Sequence, residues 1–266
     1  MNKFFATVVS AAALTGSVFA DGIEFKLDKP SDWKSMGGSV QWVGAKKDVL
    51  QATGSVMISS TRLFDVDVKK KYKLEADVKR ISGGAAYIYL GFIPYDKNGK
   101  AIGAESVNIQ PGSETTVLKA GKVGDTKLIL KNNPKWAVQY LYAVGLNAKK
   151  DYSDLPNRDL LPCSKAAVVN GNLEITLKKP LAKAVAAGTP VRAHLGGGYM
   201  YTGGYKKLSD GQTAEMKGVA KGRIPYSLRG GSWTAGAAKA QVIMLINWGN
   251  HKAVTQVKDI ELEIEK

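Results

Sequence analysis

Apolar and polar residues alternate with period two over many short, turn-bounded stretches of this chain. Such stretches are Leu50–Ser59, Tyr72–Lys79, Ala86–Ile93, Ser106–Ile109, Thr116–Ala120, Lys127–Leu130, Ala137–Leu146, Ala166–Asn170, Leu173–Leu177, Val191–Leu195, Gln241–Trp248 and Val257–Ile264. Side chains two apart share one face of a strand, so this alternation predicts strands with one buried face. Turn chemistry lies between them, as in Ser82-Gly83-Gly84, Asp96-Lys97-Asn98-Gly99, Pro111-Gly112, Gly196-Gly197-Gly198 and Arg229-Gly230-Gly231. Asn170-Gly171 joins two β-rich runs and predicts a tight hairpin. Only Lys179–Ala187 has a helical pattern, and Pro180 and Gly188 hold it to about two turns. Many short strands without alternating helices predict an all-β fold, a sandwich or a barrel rather than an α/β fold, and the favoured form is a sandwich of two antiparallel sheets with long Gly-rich loops.

The N-terminus departs from this pattern. Met1–Ala20 has one early Lys3, an apolar run from Ala6 to Leu14, and a small-residue ending at Ser17-Val18-Phe19-Ala20. That is the arrangement of a secretory signal peptide cleaved after Ala20, and the run is too short to span a bilayer. No later segment has the length and apolarity of a membrane span. With no Pro/Ser-rich linker and no fixed-period repeat, residues 21–266 are expected to form a single β-sandwich domain, secreted or periplasmic. The sequence leaves the oligomeric state open.

Charge and composition remove several function classes. The 266 residues carry 38 Lys+Arg against 23 Asp+Glu, a net charge of +15 and a pI near 9.6. The lysines are dispersed in pairs and short runs such as Lys46-Lys47, Lys69-Lys70-Lys71 and Lys178-Lys179. Nucleic-acid binding would gather them with aromatics in a known module, and export argues against it. The excess instead suits an acidic polysaccharide or an anionic surface, or serves solubility alone. One Cys, Cys163, excludes an internal disulfide and is expected to be buried rather than reactive in an exported bacterial protein. His194 and His251 alone give little imidazole for a metal cluster. No Gly-x-Ser-x-Gly pentapeptide occurs, and Asp65/Asp67 and Glu261/Glu263 read as solvated strand faces rather than a catalytic carboxylate pair.

Aromatics supply the candidate chemistry. Tyr87/Tyr89, Tyr140/Tyr142 and Tyr199/Tyr201 alternate, so each pair shares a face. A tyrosine pair on an open face gives sugar rings a platform to stack on, and the same pattern arises when tyrosines fill a core. Tyr199-Met200-Tyr201 beside Gly196-Gly197-Gly198 is the hardest pair to bury. Arg192 and His194 alternate on the strand before that loop, so Arg192, His194, Tyr199 and Tyr201 form the leading ligand cluster. Trp136 and Trp233, beside turn residues, are secondary ligand candidates, and Trp248 suits either a structural or a binding role.

The mature start Asp21-Gly22-Ile23-Glu24-Phe25, with Trp33, and the end Val257-Lys258-Asp259-Ile260-Glu261-Leu262-Glu263-Ile264 resemble the paired terminal strands of jelly-roll carbohydrate-binding modules with the galactose-binding-like fold. Phe64-Asp65-Val66-Asp67, Lys71-Tyr72-Lys73-Leu74 and the hairpin Gly91–Lys100 are similar to further segments of such modules. The resemblance implies a jelly-roll β-sandwich that binds a polysaccharide or glycan without cleaving it. It also implies a structural calcium held by Glu24 and Asp259. The lysine excess and the insertion at residues 151–162 depart from smaller modules, so sugar specificity does not follow from it. The alternatives are a polysaccharide lyase or hydrolase using Tyr201, Arg192 and His194, and an adhesion or structural component of the cell envelope without a small-ligand site.

Overall fold

The computed structural model describes residues 17–19, 22–228 and 230–265. Most of the predicted signal segment, including residues 1–16 and Ala20, lies outside them. A three-residue strand β1 (Ser17–Phe19) precedes β2 (Gly22–Lys26), β3 (Trp33–Val43), β4 (Val49–Ser60), β5 (Phe64–Asp65), β6 (Lys71–Ser82) and β7 (Ala86–Tyr95). After a single helical turn α1 (Ala104–Val107) come β8 (Thr115–Lys119), β9 (Lys127–Leu130), β10 (Leu141–Leu146), β11 (Leu160–Val169), β12 (Asn172–Leu177) and β13 (Pro190–Leu195). The chain then forms β14 (Tyr205–Leu208), β15 (Thr213–Ala220), β16 (Arg223–Ile224), β17 (Trp233–Thr234), β18 (Lys239–Trp248) and β19 (Val254–Glu265).

The predicted all-β jelly-roll sandwich is present. Its back layer runs β15–β6–β19, continued by β2 and the first part of β4; its front layer runs β14–β7–β18 and the last part of β4. Strand β4 serves both layers. Leu50 to Thr53 pair with Val257 to Val254 of β19, whereas Val56 to Ser59 pair with Ile246 to Ile243 of β18. The turn between them is at Gly54, and β3 follows on the other edge with a register shift after Gly37. Gly37, Gly38 and Gly54 all have positive φ, and a Cβ on Gly38 would meet Thr53 O and the Val56 side chain. Only glycine suits this corner, which moves a strand from one layer to the other.

Alternation explains the core. Leu50, Ala52, Val56 and Ile58 of β4 point between the layers. They meet Leu74, Ala76 and Val78 of β6, Ile88, Leu90 and Phe92 of β7, and Val242, Met244 and Ile246 of β18. Full burial of one such aliphatic or aromatic side chain stabilises the fold by about 1.5–3 kcal/mol. At one end of the core, buried Arg80 donates from Nη1 to Asn247 Oδ1 (2.6 Å) and Thr255 Oγ1 (2.7 Å).

The strand pattern did not foretell the second structure. Between β7 and β14 the chain closes a six-stranded barrel in the order β10–β11–β12–β9–β8–β13. Its own hydrophobic cluster includes Val117, Leu128, Leu130, Val144, Cys163, Ile175 and Val191. Burial pushes the free Cys163 thiol up to about 11, which leaves it protonated and unreactive. The β11–β12 hairpin turns at Asn170-Gly171, both with positive φ, as the sequence predicted.

Two local expectations fail. Lys179–Ala187 is not helical: Leu181 and Val185 are buried in the barrel, and their backbones bond Asp125, Gly124 and Gly121 instead of each other. Their spacing of four suits a helix face, but the neighbouring loop satisfies the same backbone groups. Ser106–Ile109, expected as a strand, begins inside α1, and only Ile109 bridges to a strand residue, His194.

Candidate functional site

The front layer carries an apolar cluster on its outer face. On β7, Ile88, Leu90 and Phe92 point inward, so Tyr87, Tyr89, Gly91, Ile93 and Tyr95 point outward. Register then fixes their neighbours. Tyr205 of β14 stands opposite Tyr89, Tyr89 opposite Leu245 of β18, Leu245 opposite Met57 of β4, and Met57 opposite Met36 of β3. This apolar row crosses five strands. At the usual strand spacing it is about 19 Å long.

A strap formed by residues 196–204 lies across one end of the row. Phe92 and Met200 exchange backbone hydrogen bonds of 2.9 and 3.1 Å, and Gly203 N–H donates to Leu90 O at 3.1 Å. The Met200 carbonyl and the Tyr201 backbone occupy the space that a Cβ on Gly91 would need, so glycine on β7 is what seats the strap. Tyr199 and Tyr201 thereby join the sheet tyrosines. Ring centroids are 4.8 Å apart for Tyr89–Tyr201, 5.7 Å for Tyr89–Tyr205, 5.7 Å for Tyr87–Tyr205 and 6.2 Å for Tyr199–Tyr201. These tilted and edge-on pairs hold the rings in place.

Between strap and sheet lies a cleft of about 600 Å³, lined by Met36, Ser55, Met57, Tyr89, Gly197, Gly198, Tyr199, Tyr201, Leu245 and Trp248 with the backbone near Gly37 and Val56. No carboxylate, ammonium, guanidinium or imidazole is in that lining. Burial pushes the Tyr201 hydroxyl up to about 12, so it stays protonated and serves as a hydrogen-bond group rather than a base. Trp248 and Tyr205 are 52% and 62% exposed, with rings already partly facing solvent. A cleft of this kind can hold a ligand by stacking on its rings and by contacts to its Ser and Tyr hydroxyls.

The sequence-predicted residues divide sharply. Tyr199 and Tyr201 are in the cleft. Arg192 and His194 do share a face, but it is the outer face of the barrel, since Val191 and Ala193 take the inside; the segments carrying Glu105, Lys149 and Asp154 cover it, and both side chains are fully buried. Arg192 Nη2 donates to Asp154 Oδ2 at 2.6 Å, Nη1 donates to Lys149 O at 3.1 Å, and the guanidinium lies 5.2 Å from the Tyr152 ring. His194 Nδ1–H donates to Glu105 O at 2.8 Å, and burial lowers its pKa to about 4, which keeps it neutral. A set of Tyr201, Arg192 and His194 is therefore not presented together to a polymer. Trp136 and Trp233 are core residues: Trp136 Nε1 donates to Ser113 O at 2.8 Å, and Trp233 is wedged between Tyr72 and Phe92 at 5.0 and 5.1 Å.

Glu24 and Asp259 do not fit a calcium ion. In the β2/β19 register Glu24 stands opposite Glu263, while Asp259 lies beyond the bulge between Lys258 and Glu261. Lys26 approaches Glu24 at 3.6 Å and Lys258 holds Asp259 at 2.7 Å, so each carboxylate faces an ammonium rather than a shared hollow. Among the described residues no group of three or more His, Cys, Asp or Glu gathers to hold a metal.

Sequence reasoning undervalued Tyr87 and Tyr89 and passed over Tyr205, Met36 and Met57. Gly91 was the available signal: a glycine among outward β7 positions marks a place where another backbone comes close.

The chain matches no protein-family profile and no curated protein sequence. Among solved structures it is similar to the CBM22-1 xylan-binding domain of Xyn10C from Paenibacillus barcinonensis, at 12% identity and a TM-score of 0.36, covering 96% of this chain and 99% of that one. It is also similar to peanut lectin, at 8% identity and a TM-score of 0.32 over 93% and 98% of the two chains. The mannan-recognising module TmCBM27 overlaps at 9% identity and a TM-score of 0.27 over 91% and 96%. All three scores are below 0.5, so nothing about ligand or activity passes from these proteins to this one. No helix among the described residues is long and apolar enough to cross a membrane.

Proposed function

We propose that the protein is an exported, non-catalytic carbohydrate-binding protein whose glycan site is the tyrosine-lined cleft of the front layer. The single observation that carries this reading is the row Tyr205–Tyr89–Leu245–Met57–Met36, flanked by Tyr201 and Trp248 over about 600 Å³ of open cleft. Sugar rings have apolar C–H faces and hydroxyl edges. The rings of Tyr89, Tyr201 and Trp248 match the faces, while tyrosine hydroxyls, Ser55 and the Gly197–Gly198 backbone match the edges. A lining free of charge favours neutral sugar faces in the cleft itself. The N-terminal pattern of Met1–Ala20 supports export.

Affinity electrophoresis in gels containing neutral and acidic polysaccharides, backed by a glycan array, tests the reading. The protein is expected to be retarded by at least one polymer. Tyr89→Ala, which removes the central ring of the row, is expected to weaken that binding by about thirtyfold. A wild-type protein that no polymer retards would sink the proposal, as would a Tyr89→Ala variant that still folds and binds normally.

A further inference from the structure

We infer that the glycan track does not stop at the cleft but continues over the Gly196–Gly198 segment onto the barrel, where Tyr142 and Lys178 form a second subsite for an acidic sugar unit. This rests on the glycan reading of the cleft and adds a chain-length and charge requirement to it.

Contiguity comes first. Gly197 and Gly198 line the cleft, and the next residue back, Gly196, is packed on the barrel: a Cβ there would touch the Tyr142 ring at 3.6 Å. Gly196 N–H donates to Tyr140 O at 2.9 Å, and Leu195 stands opposite Leu141 in the β10/β13 register. Two residues of chain span at most about 7 Å, so the Tyr142 ring lies within about one sugar unit of the cleft lining. The three glycines add no side chains of their own to that passage, and the rings of Tyr142 and Tyr201 flank its two ends, against Gly196 and Gly198.

The chemistry at the barrel end differs from that in the cleft. Tyr142 is 36% exposed, and the Lys178 ammonium stands 5.1 Å from its ring centroid. Exposed Lys179 follows directly, and among the described residues neither lysine is within salt-bridge distance of a carboxylate. Tyr140 is 64% exposed with φ +66°, an uncommon backbone for a bulky residue. Between residues 113 and 195 the chain has thirteen Lys and Arg against six Asp and Glu. A tyrosine ring joined by an ammonium that has no carboxylate partner among the described residues suits a pyranose bearing a carboxylate, whereas the cleft suits uncharged ring faces. The occupant is therefore a linear glycan long enough to cover both subsites, with uronate units at the barrel end.

Titration calorimetry on the full protein, with disaccharide to octasaccharide series from xylan, glucuronoxylan, mannan and polygalacturonate, tests this. Lys178→Gln and Tyr142→Ala are expected to weaken binding of long uronate-bearing oligosaccharides by about tenfold and to leave disaccharide binding unchanged. Lys178 is exposed, so its variant reports on the subsite even if Tyr142→Ala lowers the melting temperature. Equal losses for short and long ligands, or no loss for the acidic octasaccharides, would overturn the second subsite while leaving the cleft intact. If the wild-type protein binds none of the series, the cleft reading falls and this inference with it.

Discussion

The two outer faces of the sandwich are built on the same alternation from strands of similar length, yet they are opposites. The back face is a ladder of opposite charges. Lys73 reaches Glu263 at 3.2 Å and also Glu265, Lys71 reaches Glu265 at 3.2 Å, Lys26 reaches Glu261 at 3.3 Å, and Lys217 reaches Glu75 at 3.4 Å. Most of these are cross-strand neighbours by register, as in Lys73 opposite Glu263 and Lys217 opposite Glu75. These outward charges are paired with their cross-strand neighbours. The front face puts Tyr, Met, Leu and Trp at the equivalent positions and covers only part of them with the strap. A polar face that is complete in itself and an apolar face left half covered cannot have been shaped by the same requirement. The first is a self-paired surface, and the second has the half-covered apolar character on which the proposed glycan site rests.

The sharpest way to break this contrast is Gly91→Ala. The added methyl displaces the Met200 carbonyl, so the strap lifts from the front layer. Stability is expected to fall by about 3 kcal/mol, read by urea denaturation, and glycan retention should disappear with it. Unchanged stability would show that the strap is not seated through Gly91.

A change of pH separates the front face from the interior that supports it. Below pH 6.5 the unfolded chain protonates His194, but the folded protein refuses the proton until about pH 4. The unfolded state binds more protons across that window, so stability falls as pH drops from 6.5 to 4, by about 3 kcal/mol at the lower end. His194→Gln should flatten this part of the stability profile. Glycan affinity per folded molecule should stay level over the same range, since nothing in the cleft lining titrates there. An affinity that tracks the stability curve would place a titrating group in the site.

The mildest substitutions compare the faces directly. Trp248→Ala truncates a half-exposed ring, and it is expected to cost about tenfold in glycan affinity with less than about 1 kcal/mol in stability. Lys73→Gln removes the best-connected cation of the back face, yet isolated surface pairs contribute little, so neither melting temperature nor glycan retention should move appreciably. A binding loss from Lys73→Gln would mean that the ligand sits on the wrong face of this account.

The layers of the sandwich were legible because each long strand buries one face, and Val-Leu-Ile alternation records that directly. Strand β3 was not legible, since seven of its eleven positions are exposed and its glycines obscure the period. Strand β15 was missed for a related reason: two of its buried positions are Gly218 and Ala220, too small to stand out. The barrel was invisible as a barrel because an inward-facing alternation looks the same whether a sheet closes on itself or packs on another. The site was half legible. Tyr199 and Tyr201 were found because their glycine-rich neighbourhood resists burial. Arg192 was expected in the ligand cluster because its partner Asp154 sits 38 residues away in sequence, in an insertion whose folding the strand pattern did not foretell.

The barrel enters and leaves the sandwich through a single seam. Gln110 N–H bonds Ala193 O, Leu195 N–H bonds Asn108 O, and Ile109 bridges His194, so the incoming and outgoing chains are backbone neighbours. Strands that bond in this way are about 5 Å apart. A short turn from residue 108 to residue 195 would therefore close the sandwich with the barrel excised, and another β-unit with adjacent ends would fit the same gap. The barrel thus hangs on the sandwich by two adjacent strand connections, with Arg158 bonding Asp96 and Ala101 and Tyr152 packing on Tyr226 as further ties.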